Sequence, residues 1–307
     1  MKVVSLNISE KKGIIKTPID KVFVNEFGFE NDAHAGDWHR QITLLAKEQV
    51  DFFSKEAGRK INFGEFAENI TTEGIDLTKV AILDRFKIGE VEMMVTQIGK
   101  ECHGTSCAIY REVGNCIMPK LGIFCKVLKT GNIKTGDKIE YFPFEIQFEI
   151  ITLSDRASKG EYSDRSGAKI NEILNNYFSA KGKTIKIKST LISDDAEKLK
   201  SILLDCKSNK LHVVITTGGT GIGKRDITPD VVKTLLDKEI PGIMEMIRFK
   251  YGQNKPNAML SRSVCGLMGE TLVYTLPGSV KAVEEYMAEI LQTLEHLIFM
   301  KEGLDVH

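Results

Sequence analysis

The spacing of apolar and polar positions divides the chain into two parts. Up to residue 143, short runs of alternating apolar and polar residues are separated by glycine-containing turns. Such runs are typical of strands, which we predict at 3–8, 41–45, 91–97, 123–129 and 137–141. One helical pattern interrupts them at about 47–57. The pattern predicts a mostly-β domain over residues 1–143, forming a closed or nearly closed barrel.

After residue 143, strand patterns alternate with helix patterns. Strands are predicted at 148–153, 184–192, 212–216 and 271–276. Apolar residues at helical spacing predict helices around 170–178, 199–206 and 280–300. The run at 212–216 is apolar throughout, as in strands that are covered on both faces. Residues 144–307 are therefore predicted to form a three-layer α/β domain with a mainly parallel sheet.

Composition and charge narrow the class of protein. The chain has 42 basic and 42 acidic residues, a balance that disfavours a nucleic-acid-binding or membrane-surface protein. No apolar run approaches the roughly 18 residues that a membrane span needs, and the first ten residues are typical of a strand rather than a signal peptide. Six cysteines are too few for a disulfide scaffold in a chain of this length. We therefore expect reduced thiols and a cytoplasmic protein.

The segment 216–230, TTGGTGIGKRDITPD, follows the buried strand predicted at 212–216. In open α/β sheets, ligands lie beyond the carboxyl ends of strands. Glycines at this place let backbone N–H groups approach an anion, and Lys224 and Arg225 add positive charge. The segment, here called the phosphate loop, is therefore predicted to bind a polyphosphate or phosphoester.

The phosphate loop departs from a nucleotide-binding P-loop at one position. Arg225 occupies the place of the magnesium-binding Ser or Thr, which argues against a standard NTPase. Asp226 is the natural replacement ligand for Mg²⁺. Thr228 is predicted to cap a helix that begins at Pro229. The alternative is a glycine-rich turn in which Asp226 is a solvated turn residue.

Several motifs in order resemble one family. The loop is similar to the signature of molybdopterin adenylyltransferases, the MogA/MoaB-type domain of molybdenum cofactor biosynthesis. The motifs SDRAS at 154–158, LISD at 191–194, LSR at 260–262 and LPG at 276–278 agree with the same family. The resemblance covers about residues 146–300.

This resemblance implies a reaction and a set of site residues. The family transfers AMP from ATP to the terminal phosphate of molybdopterin with Mg²⁺, which implies a nucleotidyltransferase with Asp194 and Asp226 as catalytic residues and magnesium ligands. It also implies a homotrimer formed through the C-terminal domain, and handover of the product to a molybdenum-insertion protein. The residues expected to bind the substrates are Asp155, Arg156, Thr217, Gly218, Gly219, Thr220, Gly221, Lys224, Arg225, Ser261, Arg262, Pro277, Gly278 and Ser279.

Structural roles compete for some of these residues. Asp194 and Glu197 form a capping-box pattern at the start of a helix. Asp155 with Arg156, and Ser261 with Arg262, are also typical of turns at strand ends. Ser279 is well placed to cap the last helix.

The first domain contains two clusters of polar and sulfur-bearing residues. One is NDAHAGDWHRQ at 31–41, and the other runs from Lys100 and Cys102-His103 to Cys107 and Cys116. The cysteine spacing supplies only half of a usual zinc site, and the alternative is that Cys107, Cys116 and Cys125 are small buried apolar residues. Together the clusters resemble a MOSC domain over residues 1–142.

The MOSC resemblance implies a β-barrel that binds the molybdenum cofactor or handles sulfur, with Cys102 in the functional position. Lys100 and His103 next to it would favour a reactive thiolate. Three functions follow as hypotheses: adenylylation of molybdopterin, a non-catalytic carrier of molybdopterin or the finished cofactor, and sulfur transfer by Cys102.

Overall fold

The computed structural model describes residues 1–101, 110 and 117–304. The chain divides after Phe144 into two compact units. Within the described ranges, no helix combines the length and the apolar character needed to cross a bilayer. Cys102, His103, Cys107 and Cys116 lie outside the described residues, so the predictions that depend on them stay predictions.

The first unit consists mostly of strands. Their bounds are β1 Lys2–Ile8, β2 Thr17–Ile19, β3 Lys21–Asn25, β4 Gly28–Phe29, β5 Ile42–Ala46, β6 Ile70–Glu73, β7 Arg85–Ile88, β8 Val91–Ile98, β9 Ile123–Lys129, β10 Gly131–Lys134 and β11 Ile139–Phe142. Helices α1 Lys47–Glu56 and α2 Met118–Leu121 and a 3₁₀ turn at Leu77–Lys79 complete it.

Eight strands of this unit form one sheet, in the order β11-β7-β8-β9-β5-β6-β1-β2. A second sheet has the order β10-β3-β4. Apolar side chains of alternating strand residues, such as Leu44, Phe86 and Val95, form one buried core cluster. The mostly-β character is confirmed, whereas closure into a barrel stays a prediction.

The second unit is built on one six-stranded sheet. Its strands are β12 Glu145–Leu153, β13 Thr184–Ile192, β14 Val213–Thr217, β15 Lys238–Glu239, β16 Cys265–Met268 and β17 Thr271–Leu276. The order is β13-β12-β14-β17-β16-β15. The first four strands are parallel, and β16 and β15 pair antiparallel at the far edge. The predicted mainly parallel sheet is therefore confirmed.

Helices cover both faces of this sheet. They are α3 Asp155–Ser158, α4 Ser166–Ala180, α5 Ala196–Ser208, α6 Thr228–Lys233, α7 Pro241–Gly252 and α8 Val280–Lys301, with a 3₁₀ turn at Pro256–Leu260. Leu199 and Leu203 of α5 pack with Ile151 of β12 in one apolar cluster. On the other face, the ring of Phe178 in α4 lies 5.6 Å from that of Phe148 in β12. This arrangement follows from the sequence, because successive side chains of β12 point to opposite faces.

Candidate active site

The phosphate loop lies at the reversal point of the strand order. β12 is the first strand of its sheet, β13 pairs with one of its edges and β14 with the other. Beyond the carboxyl ends of β12 and β14, the helices that follow leave on opposite faces, which opens a crevice. Asp155 follows β12, Asp194 follows β13, and Gly218 follows β14. Chain topology therefore brings three separate sequence motifs to one edge.

Glycines in the loop are required by its backbone. Gly218 has φ +101° and Gly219 has φ +62°, values that side chains disfavour. A Cβ on Gly218 would lie 2.3 Å from the carbonyl oxygen of Leu153, at the end of β12. Gly218 thus lets the loop pass directly against the neighbouring strand end.

The prediction for Thr228 was wrong by one position. Thr228 is the first residue of α6, and the preceding Ile227 occupies the cap position without a side-chain cap. The Thr228 hydroxyl instead donates to the carbonyl of Gly218 at 2.9 Å, and its N–H donates to that of Gly219 at 3.1 Å. Thr228 therefore begins the helix, and its side chain fixes the glycine turn instead of capping the helix.

Three carboxylates converge at this edge: Asp155, Asp194 and Asp226. The backbone N–H of Asp194 donates to Asp155 Oδ1 at 3.1 Å, and the N–H of Asp155 donates to Asp194 Oδ2 at 3.3 Å. Asp226 Oδ2 accepts from the N–H of Gly223 at 2.7 Å. Arg225 forms an ion pair with Asp155. We call these three acids the carboxylate cluster.

Two acids of the carboxylate cluster, Asp194 and Asp155, have shifted pKa values. Burial raises the pKa of Asp194 above its usual value; the hydrogen bond from Asp155 opposes this rise, and the charges of Asp155 and Asp226 add to it. The pKa of Asp155 is lowered, because Asp194 donates a backbone hydrogen bond and Arg225 lies beside it. A cation between these groups would relieve the repulsion.

The capping alternative for Asp194 is wrong. Helix α5 is capped by Asp195, whose carboxylate accepts from the N–H groups of Glu197 at 3.0 Å and Lys198 at 3.1 Å. The Asp194 carboxylate is therefore not used as a helix cap, and it lines the crevice. Ser279 does cap α8, as predicted, by accepting from the N–H of Ala282 at 3.3 Å.

The crevice is a cleft of about 800 Å³. Thirteen predicted site residues line it: Asp155, Arg156, Asp194, Gly218, Gly219, Thr220, Gly221, Arg225, Asp226, Ser261, Pro277, Gly278 and Ser279. A neighbouring cleft of about 920 Å³ shares Ser154, Arg156, Tyr162 and Ser279 with it and is flanked by Arg165 and Lys169. One cleft thus contains the carboxylate cluster, and the next is more cationic.

Thr217, Lys224 and Arg262 do not line either cleft. The Thr217 side chain is buried and donates to the carbonyl of Pro277 at 2.9 Å. The Arg262 guanidinium donates to the carbonyls of Gly221 and Asp226 and to both oxygens of Asp230. Arg262 therefore stabilises the phosphate loop through its backbone carbonyls, from outside the two clefts.

Sequence reasoning did not assign several residues of the cleft wall. Asn257, Glu285 and Tyr286 line the first cleft, and they come from the 3₁₀ turn and α8, which carry no motif of their own. The hydroxyls of Ser154 and Tyr162 lie 2.8 Å apart, and Arg156 stacks over the Tyr162 ring at 5.4 Å. Ser154 belongs to the motif at 154–158, whereas Tyr162 lies four residues beyond it, and only the folded chain brings the two hydroxyls together.

Two acids of the carboxylate cluster, Asp194 and Asp226, would hold a magnesium ion together with substrate phosphates. Among the residues that the structure describes, no group of three or more His, Cys, Asp or Glu side chains is arranged to hold a metal by itself. Mg²⁺ in nucleotide enzymes is usually held by one or two carboxylates together with substrate phosphates. Asp194 and Asp226, both in the cleft, supply that number.

The first unit contains a second polar cluster. Lys16 and Asp32 are buried and paired, with Lys16 Nζ 2.5 Å from Asp32 Oδ2 and 3.3 Å from His34 Nδ1. Burial acts against the charged form of Asp32, but hydrogen bonds from His34 and the charge of Lys16 hold its pKa well below its usual range. Glu68 is fully buried nearby, and burial raises its pKa. The sequence predicted Asp32 and His34 as part of a motif, but not Lys16 or Glu68.

Cys125 of the first unit is fully buried in the core. Burial raises the pKa of its thiol, which makes it unreactive. The interpretation of Cys125 as a small buried apolar residue is therefore confirmed.

The second unit is thus a parallel α/β domain with a glycine-rich loop and carboxylates at its strand reversal, the class of fold that binds phosphorylated ligands there. Residues 149–296 match the family model of a probable molybdopterin binding domain, and residues 31–140 match that of a MOSC domain. The chain belongs to the molybdopterin-binding family through its second half and contains a MOSC domain in its first half.

Several proteins of other organisms are similar in sequence to the second half of this chain. A molybdopterin adenylyltransferase of Helicobacter pylori J99 is 32% identical over 50% of this chain and 86% of its own length. Molybdenum cofactor biosynthesis protein B of Bacillus cereus is 38% identical over 51% of this chain and 91% of its own. A solved structure of MoaB from Thermus thermophilus is 34% identical, covers 52% of this chain and 97% of that one, and has a TM-score of 0.47.

Proposed function

We propose that the second unit adenylylates molybdopterin, using Mg²⁺ and ATP. The observation that carries the proposal is the meeting of the phosphate loop with Asp155, Asp194 and Asp226 in one cleft. The adenylyltransferase relative covers this same half of the chain. The reaction joins two anionic substrates, whose negative charges have to be neutralised. The cationic side chains of the loop and a magnesium ion held by the acid cluster would supply that positive charge.

The roles of the residues follow from their positions. Backbone N–H groups of the phosphate loop and the Arg225 guanidinium bind phosphate oxygens. Asp194 and Asp226 hold magnesium, which would neutralise the phosphates and orient the α-phosphorus for attack. Arg262 keeps the loop in the binding conformation through Gly221 and Asp226. The adjoining cleft, with Arg156, Arg165 and Lys169 in its wall, receives the second anionic substrate.

The test is direct. The purified full chain is incubated with molybdopterin and Mg-ATP, and pyrophosphate and adenylylated molybdopterin are measured. The proposal predicts equal amounts of both products, and none without molybdopterin. Tight molybdopterin binding without pyrophosphate release would establish a carrier instead.

We propose that residues 1–143 act as a separate MOSC unit on the same cofactor. The support is the group formed by Asp32 and His34, which lie in the segment that suggested the family, and by Lys16, which pairs with Asp32 in the buried part of this unit. The bridge between Lys2 and Lys138, which joins β1 to the chain just before β11, favours a closed barrel. Joining two units of one pathway, the second being residues 144–307, raises the effective concentration of a shared intermediate. Binding of the molybdenum cofactor or a persulfide on Cys102 after exposure to a sulfur donor tests this role.

A homotrimer through the second unit is also proposed. Four large apolar side chains on α7 and the following 3₁₀ turn are more than half exposed: Met246, Phe249, Met259 and Leu260. An apolar surface of this kind is typical of a subunit interface. Light scattering of the full chain tests it, and a monomeric mass would contradict it.

The buried free thiols of Cys125, Cys206 and Cys265 suit the proposed cytoplasmic location.

A further inference from the structure

The ion pair between Arg225 and Asp155 joins two walls of the cleft. Arg225 belongs to the phosphate loop after β14, and Asp155 begins α3 after β12. Both residues line the cleft that also contains Asp194 and Asp226. The side chains are 66% and 33% exposed, so the pair is reachable by solutes.

Arg225 and Asp155 are paired with each other, so each must leave its partner before it can bind a ligand. Polyphosphate attracts the Arg225 guanidinium, which binds phosphate and carboxylate oxygens with the same donors. A divalent cation attracts the carboxylate cluster. While the ion pair is intact, neither ligand obtains its full set of partners. Breaking the pair releases the Arg225 cation for the phosphate, and it removes a positive charge from beside the carboxylates that would hold the metal.

We propose that Arg225 is an internal counter-ion of the carboxylate cluster, and that it leaves Asp155 for a nucleotide phosphate when the metal–nucleotide complex binds. The inference rests on the proposed function, because it assumes that this cleft binds a nucleotide with a divalent cation. It makes cation and polyphosphate bind cooperatively, since each favours the state in which the ion pair is broken.

The inference predicts opposite effects of one substitution on two ligands. Arg225→Gln removes a positive charge next to the carboxylate cluster, so free Mn²⁺ should bind about three- to tenfold more tightly. The same change removes a charged donor to phosphate, so Mn²⁺ with α,β-methylene-ATP should bind roughly ten- to hundredfold more weakly. A residue that only supports the fold would weaken both.

The experiment measures Mn²⁺ binding by the full chain with electron paramagnetic resonance, with and without α,β-methylene-ATP. Arg225→Lys keeps the charge and should leave free Mn²⁺ binding near the unmodified level. Lys233→Gln is the matched control, because it removes one positive charge from α6, outside both clefts. Thermal denaturation confirms that the variants are folded.

The outcomes are distinct. Opposite changes in Arg225→Gln, with no change in Lys233→Gln, support the exchange. Unchanged or weaker binding of free Mn²⁺ in Arg225→Gln, or no measurable binding in either chain, overturns it. If the unmodified chain binds neither Mn²⁺ nor its nucleotide complex, the metal role in the proposed function fails. If the nucleotide complex binds normally and only the opposite effects are missing, the proposed function stands.

Discussion

Replacing Gly218 by alanine should disturb the junction between β12 and β14. The new Cβ would lie 2.3 Å from the Leu153 carbonyl oxygen, and φ at this position is +101°. The unfavourable φ costs about 1 kcal/mol. Relief of the overlap requires moving backbone, because no flexible side chain can give way, and adds roughly 2–3 kcal/mol. The free energy of opening of this edge should therefore fall by about 3–4 kcal/mol.

Gly182→Ala is the matched control for Gly218→Ala. Gly182 has φ +64°, but a Cβ there would meet nothing within 4 Å, so only the cost of about 1 kcal/mol is expected. Native-state hydrogen exchange, read by mass spectrometry on peptides of β12 and β14 in the full chain, gives both values. Equal losses in the two variants would refute the close approach of the loop to Leu153.

Further predictions concern the helix cap and the buried ion pair. Asp195→Ala should destabilise α5 by about 1 kcal/mol in hydrogen exchange, whereas Asp194→Ala should not, and the reverse result would restore the capping role of Asp194. Asp32→Asn leaves Lys16 buried without its charged partner and should destabilise the first unit by about 3–5 kcal/mol in urea, while Asp51→Asn, which removes an exposed partner of Lys47, should change stability by less than about 1 kcal/mol. The folded pKa of Asp32 is lowered, so its ionised carboxylate stabilises the first unit at pH values above the unfolded pKa of about 4, and this stabilisation is lost as the pH falls from there through the folded pKa. In urea titrations from pH 6 down to pH 3, the free energy of unfolding should therefore decline less steeply in Asp32→Asn than in the unmodified chain. Parallel declines would contradict this assignment.

The sequence predicted most of the second unit because its main strands are either apolar runs, as in β17, or regular apolar–polar alternations, as in β13. The strands predicted at 184–192 and 271–276 agree with β13 and β17 to the residue. Helix α7 was not predicted, since Met246 and Phe249 interrupt its polar face with exposed apolar side chains. The short edge strand β15 has two residues and no pattern to detect.

The first unit was harder to predict, because its sheet uses polar residues in buried positions. Strand β6 contains Thr71 and Thr72, which are fully buried but have no apolar alternation. Lys16 carried no motif, and its burial depends on Asp32, which is 16 positions away. Pairings of this kind depend on chain topology, which local patterns do not contain.

The candidate site was predicted where motifs follow strands. Asp194 and Asp226 were placed correctly at one edge, because the carboxyl ends of parallel strands meet there. The capping alternative was attached to Asp194, whereas the structure caps the helix with the adjacent Asp195; residue type does not separate the two, because both are aspartates. The hydrogen bonds that Asp195 accepts from the N–H groups of Glu197 and Lys198 identify it as the cap.

The proposed adenylyl-transfer site is the carboxylate cluster beside the phosphate loop. The most direct measurement is transfer of label from α-³²P-ATP to molybdopterin by the full chain, its Asp226→Asn variant and its Asp237→Asn variant. Asp237 has the same charge but pairs with Lys207 outside the clefts. The rate of label transfer should fall about a hundredfold or more in Asp226→Asn and should be unchanged in Asp237→Asn. Full label transfer by Asp226→Asn would contradict this proposal.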